Sequence, residues 1–398
     1  MYRVSSFIRH FAWALLSGVA LATLWVNLSP GTYYDAIEWR LADLPLELGP
    51  RGSLTLRALV SEVLMALFLF YLGKELWEAL VLNRGALRGR RAVVPMMAAA
   101  GGMIGAVLVW LVLAALFETA EEATPGIGWA VPLGSDVVLG YVIGRRLFGP
   151  GHPALHMLLL TAIAANIAGL LVRGVSFPPE ALRPLWLILP LAASLALAAF
   201  CRLAVRSERA RRRALHMWPY LLAGAASWVG VTASGLPGAL GLLPILPAIP
   251  HADRAFGLFA EAEEFLTDPL NRFAHLMVRP LIVVLFLFGL TRGGIDLGAM
   301  APTTGIVLGA LWLGKPLGFL AGGVLALRLF GLRLPRGVTL RDLALVGLIS
   351  GMGFTLPMLA LETELPGGAM QEAARLGLAL SLAAGPIALM LGRLRARG

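Results

Sequence analysis

From Phe11 to the last few residues the chain is one apolar run after another, each close to the ~20 residues that a helix needs to cross a bilayer core, with short polar breaks between. Runs near 11–28, 58–82, 92–117, 127–147, 155–172, 184–203, 217–234, 235–250, 276–295, 302–330, 341–361 and 372–392 predict an all-α membrane protein of about twelve transmembrane helices. The breaks leave no room for a long soluble domain, so residues 1–398 are read as a single integral membrane domain. With 58% hydrophobic and 14% charged residues, the composition lies far from that of a water-soluble domain. Arg3 and Arg9 ahead of the run Phe11–Val26, with the small residues Ala20-Leu21-Ala22, could pass for a cleaved leader. The run is long enough to cross and many spans follow it, so it is read as an uncleaved first span.

Arginine placement sets the expected orientation. Arg84, Arg88, Arg90 and Arg91, then Arg145 and Arg146, then Arg202–Arg213, then Arg328–Arg341 fall in alternate breaks, as do the basic residues of both termini. The intervening breaks carry Asp35, Glu38, Asp43 and Glu47, then Glu118, Glu121 and Glu122, then Glu362 and Glu364. Loops rich in Lys and Arg stay in the cytoplasm, so a bacterial inner-membrane protein with both termini cytoplasmic and an even number of spans is expected. The segment Ala252–Leu276, with Phe256, Phe259, Phe265 and Phe273 among charges, reads either as an amphipathic helix on that surface or as a solvated linker helix.

The formal charge of +10 does not point to nucleic acid, because the basic residues sit in loops rather than on an aromatic-interleaved surface. Cys201 is the one cysteine, which excludes a disulfide framework and a cysteine metal site. No serine has a histidine at a matching depth, so nucleophilic or zinc catalysis lacks its parts and no enzymatic activity is expected.

Charged residues at mid-membrane depth are expensive and therefore candidates for function. Asp136 lies in the middle of the fourth run, after the Pro132-Leu133-Gly134 break and Ser135; it reads equally as a cation ligand on a discontinuous helix or as the cap of the helix that restarts there. Only two of the 33 basic residues are lysines, Lys74 and Lys315, and both fall inside predicted spans. Arginine stays charged, whereas a buried lysine can release its proton, so Lys315 is a candidate titratable group while Lys74, nearer an end, reads as a snorkelling cation. Glu75 and Glu78 share the second run with Lys74, and Asn166 is the one amide deep in the fifth, where helix-to-helix bonding is the simpler reading. Gly347, Gly351, Gly353 and Pro357 break the eleventh run as Pro132 and Gly134 break the fourth; such backbone is tolerated only against protein or a water-filled cavity.

Taken with their order and spacing, these segments resemble the NhaA family of sodium/proton antiporters over nearly the whole chain. The motifs that carry the resemblance are Gly128-Trp129-Ala130-Val131-Pro132 leading to Ser135-Asp136, Leu313-Gly314-Lys315-Pro316-Leu317-Gly318, and Gly351-Met352-Gly353-Phe354-Thr355, supported by Ala99–Gly105, Phe68–Glu75 and Trp228–Gly235. The resemblance, not the spacing, implies the geometry described for this family: an inverted-repeat transporter, here with repeats near 92–172 and 302–392, whose two broken helices cross at mid-membrane. It also implies Asp136, Asn166, Ser135 and Lys315 around that crossing, Glu75 and Glu78 in a cytoplasmic access path tied to pH response, a homodimer, and a role in pH homeostasis. The transported species would be sodium or another monovalent cation and protons, with no cofactor; membrane lipids are the further partner that the basic loops would attract.

Two departures stand beside the match. Where sodium/proton exchangers of the family usually carry two adjacent aspartates, this sequence has Ala165 and Asn166, and Pro237 stands where a histidine is common. Loss of those carboxylates leaves Lys315 without its usual partner, so a titratable pair Asp136–Lys315, with Asn166 and Ser135 as neutral oxygen ligands, is the expected remainder. A transport-impaired homologue acting as a sensor or as a subunit of a membrane complex is the alternative to antiport.

Overall fold

The computed structural model describes residues 7–43, 53–81, 89–117, 127–178, 181–204, 216–250, 269–335 and 337–393. Among them the helices are α1 (Ile8–Leu28), α2 (Pro30–Ile37), α3 (Leu56–Val81), α4 (Val93–Phe117), α5 (Val137–Phe148), α6 (Pro153–Ser176), α7 (Ile188–Ala204), α8 (Trp218–Ala233), α9 (Pro269–Arg292), α10 (Pro302–Leu329), α11 (Leu340–Ser350), α12 (Thr355–Glu364), α13 (Ala369–Ser381) and α14 (Ala384–Arg393). By length and composition eight helical segments can cross a membrane, and α11 with α12, bent by 49° at their junction, makes a ninth. Large apolar side chains such as Trp13, Leu116, Leu185, Leu195 and Leu221 stand exposed around the bundle, which suits a protein whose solvent is lipid. The chain is a multi-pass membrane protein.

The predicted spans that fall short of full crossings are the ones that proline and glycine interrupt. Residues 127–148 contain only a 3-10 turn, Val131–Leu133, before α5. The predicted eighth span is not an α-helix; four prolines, Pro237, Pro244, Pro247 and Pro250, hold it to two 3-10 turns, Gly238–Leu240 and Leu243–Ala248. A short two-stranded antiparallel sheet, Arg40–Asp43 with Ser53–Thr55, lies in the first acidic break. The ninth span begins at Pro269 rather than 276, and the first part of the segment read as an amphipathic helix lies outside the described residues.

Glycines set how closely the helices pack. A Cβ on Gly105, Gly318 or Gly322 would overlap the carbonyl oxygen of Gly314, Gly101 or Met97, so α4 and α10 touch backbone to backbone. Gly18 and Gly289 do the same for α1 and α9. In lipid, where apolar surface gains little by pairing, such close approach is a main source of helix association. Within α10, Pro316 has no N–H for the carbonyl four residues back, and just ahead of it the helix widens to π geometry over Ala310–Gly314. That widening ends at Lys315.

Candidate functional site

The two breaks meet in the middle of the bundle, and hydrogen bonds join them. After the 3-10 turn the chain runs extended through Gly134 and Asp136, where no intrahelical bonds are available. The Asp136 N–H donates to the Met352 carbonyl at 2.7 Å, and the Ser135 hydroxyl to the Ser350 carbonyl at 2.9 Å. The Ser135 N–H donates to Asn166 Oδ1 at 2.8 Å, which ties the break to α6. In the second break the Gly353 N–H donates to Ser381 Oγ at 3.1 Å. Buried backbone groups left without a partner in lipid cost several kcal/mol each. Each of these bonds removes one such cost.

The charged residues at the crossing serve the same accounting. Asp136 is the N-cap of α5, its Oδ1 accepting from the Leu139 N–H at 2.7 Å. Its Oδ2 accepts from the Thr355 N–H at 3.1 Å and from the Thr355 hydroxyl, at the first turn of α12. One carboxylate thus faces the positive ends of two half-helices. Lys315 has the opposite task. Its Nζ donates to the carbonyls of Pro132 at 2.9 Å and Leu133 at 3.1 Å and to that of Gly134, so its charge sits against the freed carbonyls where the first half of the break ends. Asp136, Asn166 and Lys315 are each about 2% exposed and Ser135 about 1%.

The four residues expected at the crossing are therefore together, but not in the expected pairing. Lys315 and Asp136 make no ion pair; the ammonium is spent on three carbonyls and the carboxylate on three donors. The capping reading of Asp136 holds in the geometry. Lys74 does not snorkel: it is fully buried, with Nζ 3.3 Å from Glu75 Oε1 and 3.2 Å from Glu78 Oε2, so both glutamates meet it inside α3. A burial of that kind needs a counter-charge, which the sequence supplies one and four residues on.

Sequence reading missed a layer of buried and half-buried charge on the side of the acidic breaks. Arg292 Nη1 is 2.5 Å from Glu362 Oε1 and its Nε donates to Ser61 Oγ at 2.8 Å; Arg57 reaches the same Glu362 oxygen at 2.8 Å and Glu38 at 3.0 Å. Arg375 holds Glu372 with contacts of 2.8 and 2.9 Å, and Tyr34 donates to that glutamate at 2.9 Å. Arg173, one residue beyond the predicted end of the fifth span, donates through Nε to Thr363 Oγ1 at 3.0 Å, with Glu364 at 3.9 Å. A polar cavity of about 430 Å³ opens beside this layer, lined in part by Arg57, Glu362, Glu372 and Arg375. Arginines at the acidic ends of spans run against the loop pattern. That was the available signal.

Two discontinuous helices, crossing at mid-membrane and neutralised at both polarities by buried side chains, define a secondary transporter of the broken-helix class. The comparisons narrow the class. The family model described as Na+/H+ antiporter 1 matches residues 8–392. Antiporters NhaA of Jannaschia sp. (strain CCS1) and Geobacter metallireducens are 39% and 34% identical to this chain, each alignment covering 99% of it and 98% of the relative. The solved sodium proton antiporter MjNhaP1 from Methanocaldococcus jannaschii shares the fold, with a TM-score of 0.54 at 13% identity over 97% of both chains. The chain belongs to the Na+/H+ antiporter 1 family.

Proposed function

We propose that this protein exchanges sodium, or another monovalent cation, for protons across the bacterial inner membrane, with both termini in the cytoplasm, and so contributes to pH homeostasis. The observation that carries the reading is the crossing itself. A helical bundle with no ion to move gains nothing from two interrupted helices whose ends must be neutralised by a buried Asp136 and a buried Lys315. Residues 92–172 and 302–392, packed backbone to backbone through α4 and α10, would form the repeats that rock against the rest of the molecule. Around the crossing, Asp136, Ser135, Asn166 and Thr355 would line the cation's path with oxygens of the hard kind that suit sodium. Lys74, Glu75 and Glu78 lie toward the arginine-rich side, where access from the cytoplasm and a response to its pH would act. The names of the curated relatives favour antiport over a transport-impaired sensor or subunit. Anionic lipid at the basic loops and a homodimer complete the expected setting.

Proteoliposomes holding the purified protein and a trapped pH dye test this directly. Addition of sodium or lithium is expected to move protons out against the added cation. Absence of cation-dependent proton movement at every pH would defeat the proposal.

A further inference from the structure

At the crossing every oxygen of Asp136 is engaged, and Ala165 and Asn166 supply no carboxylate. Yet exchange of a cation for a proton needs a group that holds either one. One buried carboxylate, Glu364, remains. It ends α12, nine residues after Thr355, and its side chain is fully buried with neither carboxylate oxygen in a hydrogen bond, alone in this among the buried carboxylates of the described residues. The Ala130 N–H is the backbone donor beside it. Across from it is Arg173 on α6, seven residues and two turns beyond Asn166, so it lies on the same face of that helix. The pair thus bridges the two elements that carry the crossing, displaced toward the acidic breaks by about 10–14 Å at the 1.5 Å rise of a helix.

The pairing is loose. Arg173 spends its Nε on Thr363 Oγ1 at 3.0 Å and stands 3.9 Å from Glu364 Oε1. The other charges acting on this arginine are Glu62 and Glu362, while among the described residues Arg173 is the charge set against Glu364. A buried carboxylate with no hydrogen bonds is costly as a bare anion and is relieved by a proton or by a small hard cation. Those are the two species to be exchanged.

We propose that Glu364 is the carboxylate on which proton and cation alternate in this chain, with Arg173 as its resident counter-charge, in place of the aspartates missing at 165 and 166. In the step that follows, a monovalent cation binds the carboxylate oxygens as the O–H bond breaks and the proton leaves to water; the reverse occurs on the other side of the membrane. One proton moves for each cation. The inference rests on the antiport reading above, and its test is arranged so that the two can fail separately.

The full-length protein in proteoliposomes would be compared with Glu364→Gln, Glu364→Asp and the apolar pair Arg173→Met/Glu364→Met, each checked for monodispersity and thermal unfolding. Glu364→Gln and the apolar pair are expected to lower sodium-dependent proton flux at least tenfold; Glu364→Asp is expected to restore it with a displaced pH profile. A folded apolar pair that exchanges at the wild-type rate overturns the proposal and leaves the two residues as packing. Sodium-induced infrared difference spectra supply a readout that needs no turnover: a carboxyl band of the wild type should vanish in Glu364→Gln, and its persistence overturns the proposal. Wild-type protein that moves no protons but shows the Glu364 band would defeat the antiport reading alone.

Discussion

The crossing and the charged layer toward the acidic breaks both place ionisable side chains inside a membrane protein, but they satisfy them by different means. At the crossing, Asp136 and Lys315 answer the backbone: the carboxylate takes N–H groups at two helix starts, the ammonium takes three carbonyls at a helix end. In the outer layer side chain answers side chain, as Arg292 and Arg57 converge on Glu362 and Arg375 grips Glu372. A backbone terminus cannot be mutated away or relocated, so each crossing residue has a fixed electrostatic task. A side-chain pair can be replaced whole. Buried pairs exchanged for apolar residues are often tolerated, whereas half a pair is not.

The largest effect should therefore fall on Lys315. In Lys315→Met three carbonyls lose their common donor, and a cost of about 3–5 kcal/mol with loss of transport is expected, read by thermal unfolding in detergent and by proton flux. A small stability change there would erase the contrast between the two regions. Asp136→Asn keeps the shape and removes the charge; its amide can satisfy Leu139 or Thr355 but presents an N–H₂ to the other, and about 2–3 kcal/mol should be lost. Unaltered flux in that variant would remove Asp136 from the transport machinery. Arg292→Met leaves Glu362 with Arg57 and Ser61 without its donor, for about 2 kcal/mol, and Arg292→Met/Glu362→Met should recover part of it. Were the double variant worse than the single, the outer layer would be behaving like the crossing. Glu38→Gln is expected to change stability by less than about 0.5 kcal/mol, because Glu38 is about half exposed and such pairs are weak.

The sequence carries some of these features and not others. Hydropathy placed the long spans, and Gly and Pro placed both interruptions, because each is a local property of the chain. Asp136 and Lys315 were found by depth alone, since few charges survive in the middle of an apolar run. Their partners were not: the expected ion pair gave way to carbonyls and N–H groups, which depth cannot specify. The apolar residues of 235–250 suggest an eighth span, but its prolines forbid an α-helix. Glu362 and Glu364 read as an acidic break, and nothing in the hydropathy pattern singles out Arg173, Arg292 or Arg375, because hydropathy windows blur where a charge near the boundary turns inward.

The sequence by itself determined that this chain lives in a bilayer, where its helices break, and which two charges lie deepest, because lipid penalises every polar group according to its depth. Tertiary structure alone decided what those charges meet. The crossing brings residues 134–136 against 350–355, and α6 against α12, over separations of some two hundred residues, so which dipole or counter-charge fills each site is a matter of packing and not of local pattern. Asp136 and Lys315 became caps by that route, and Arg173 came to stand opposite Glu364.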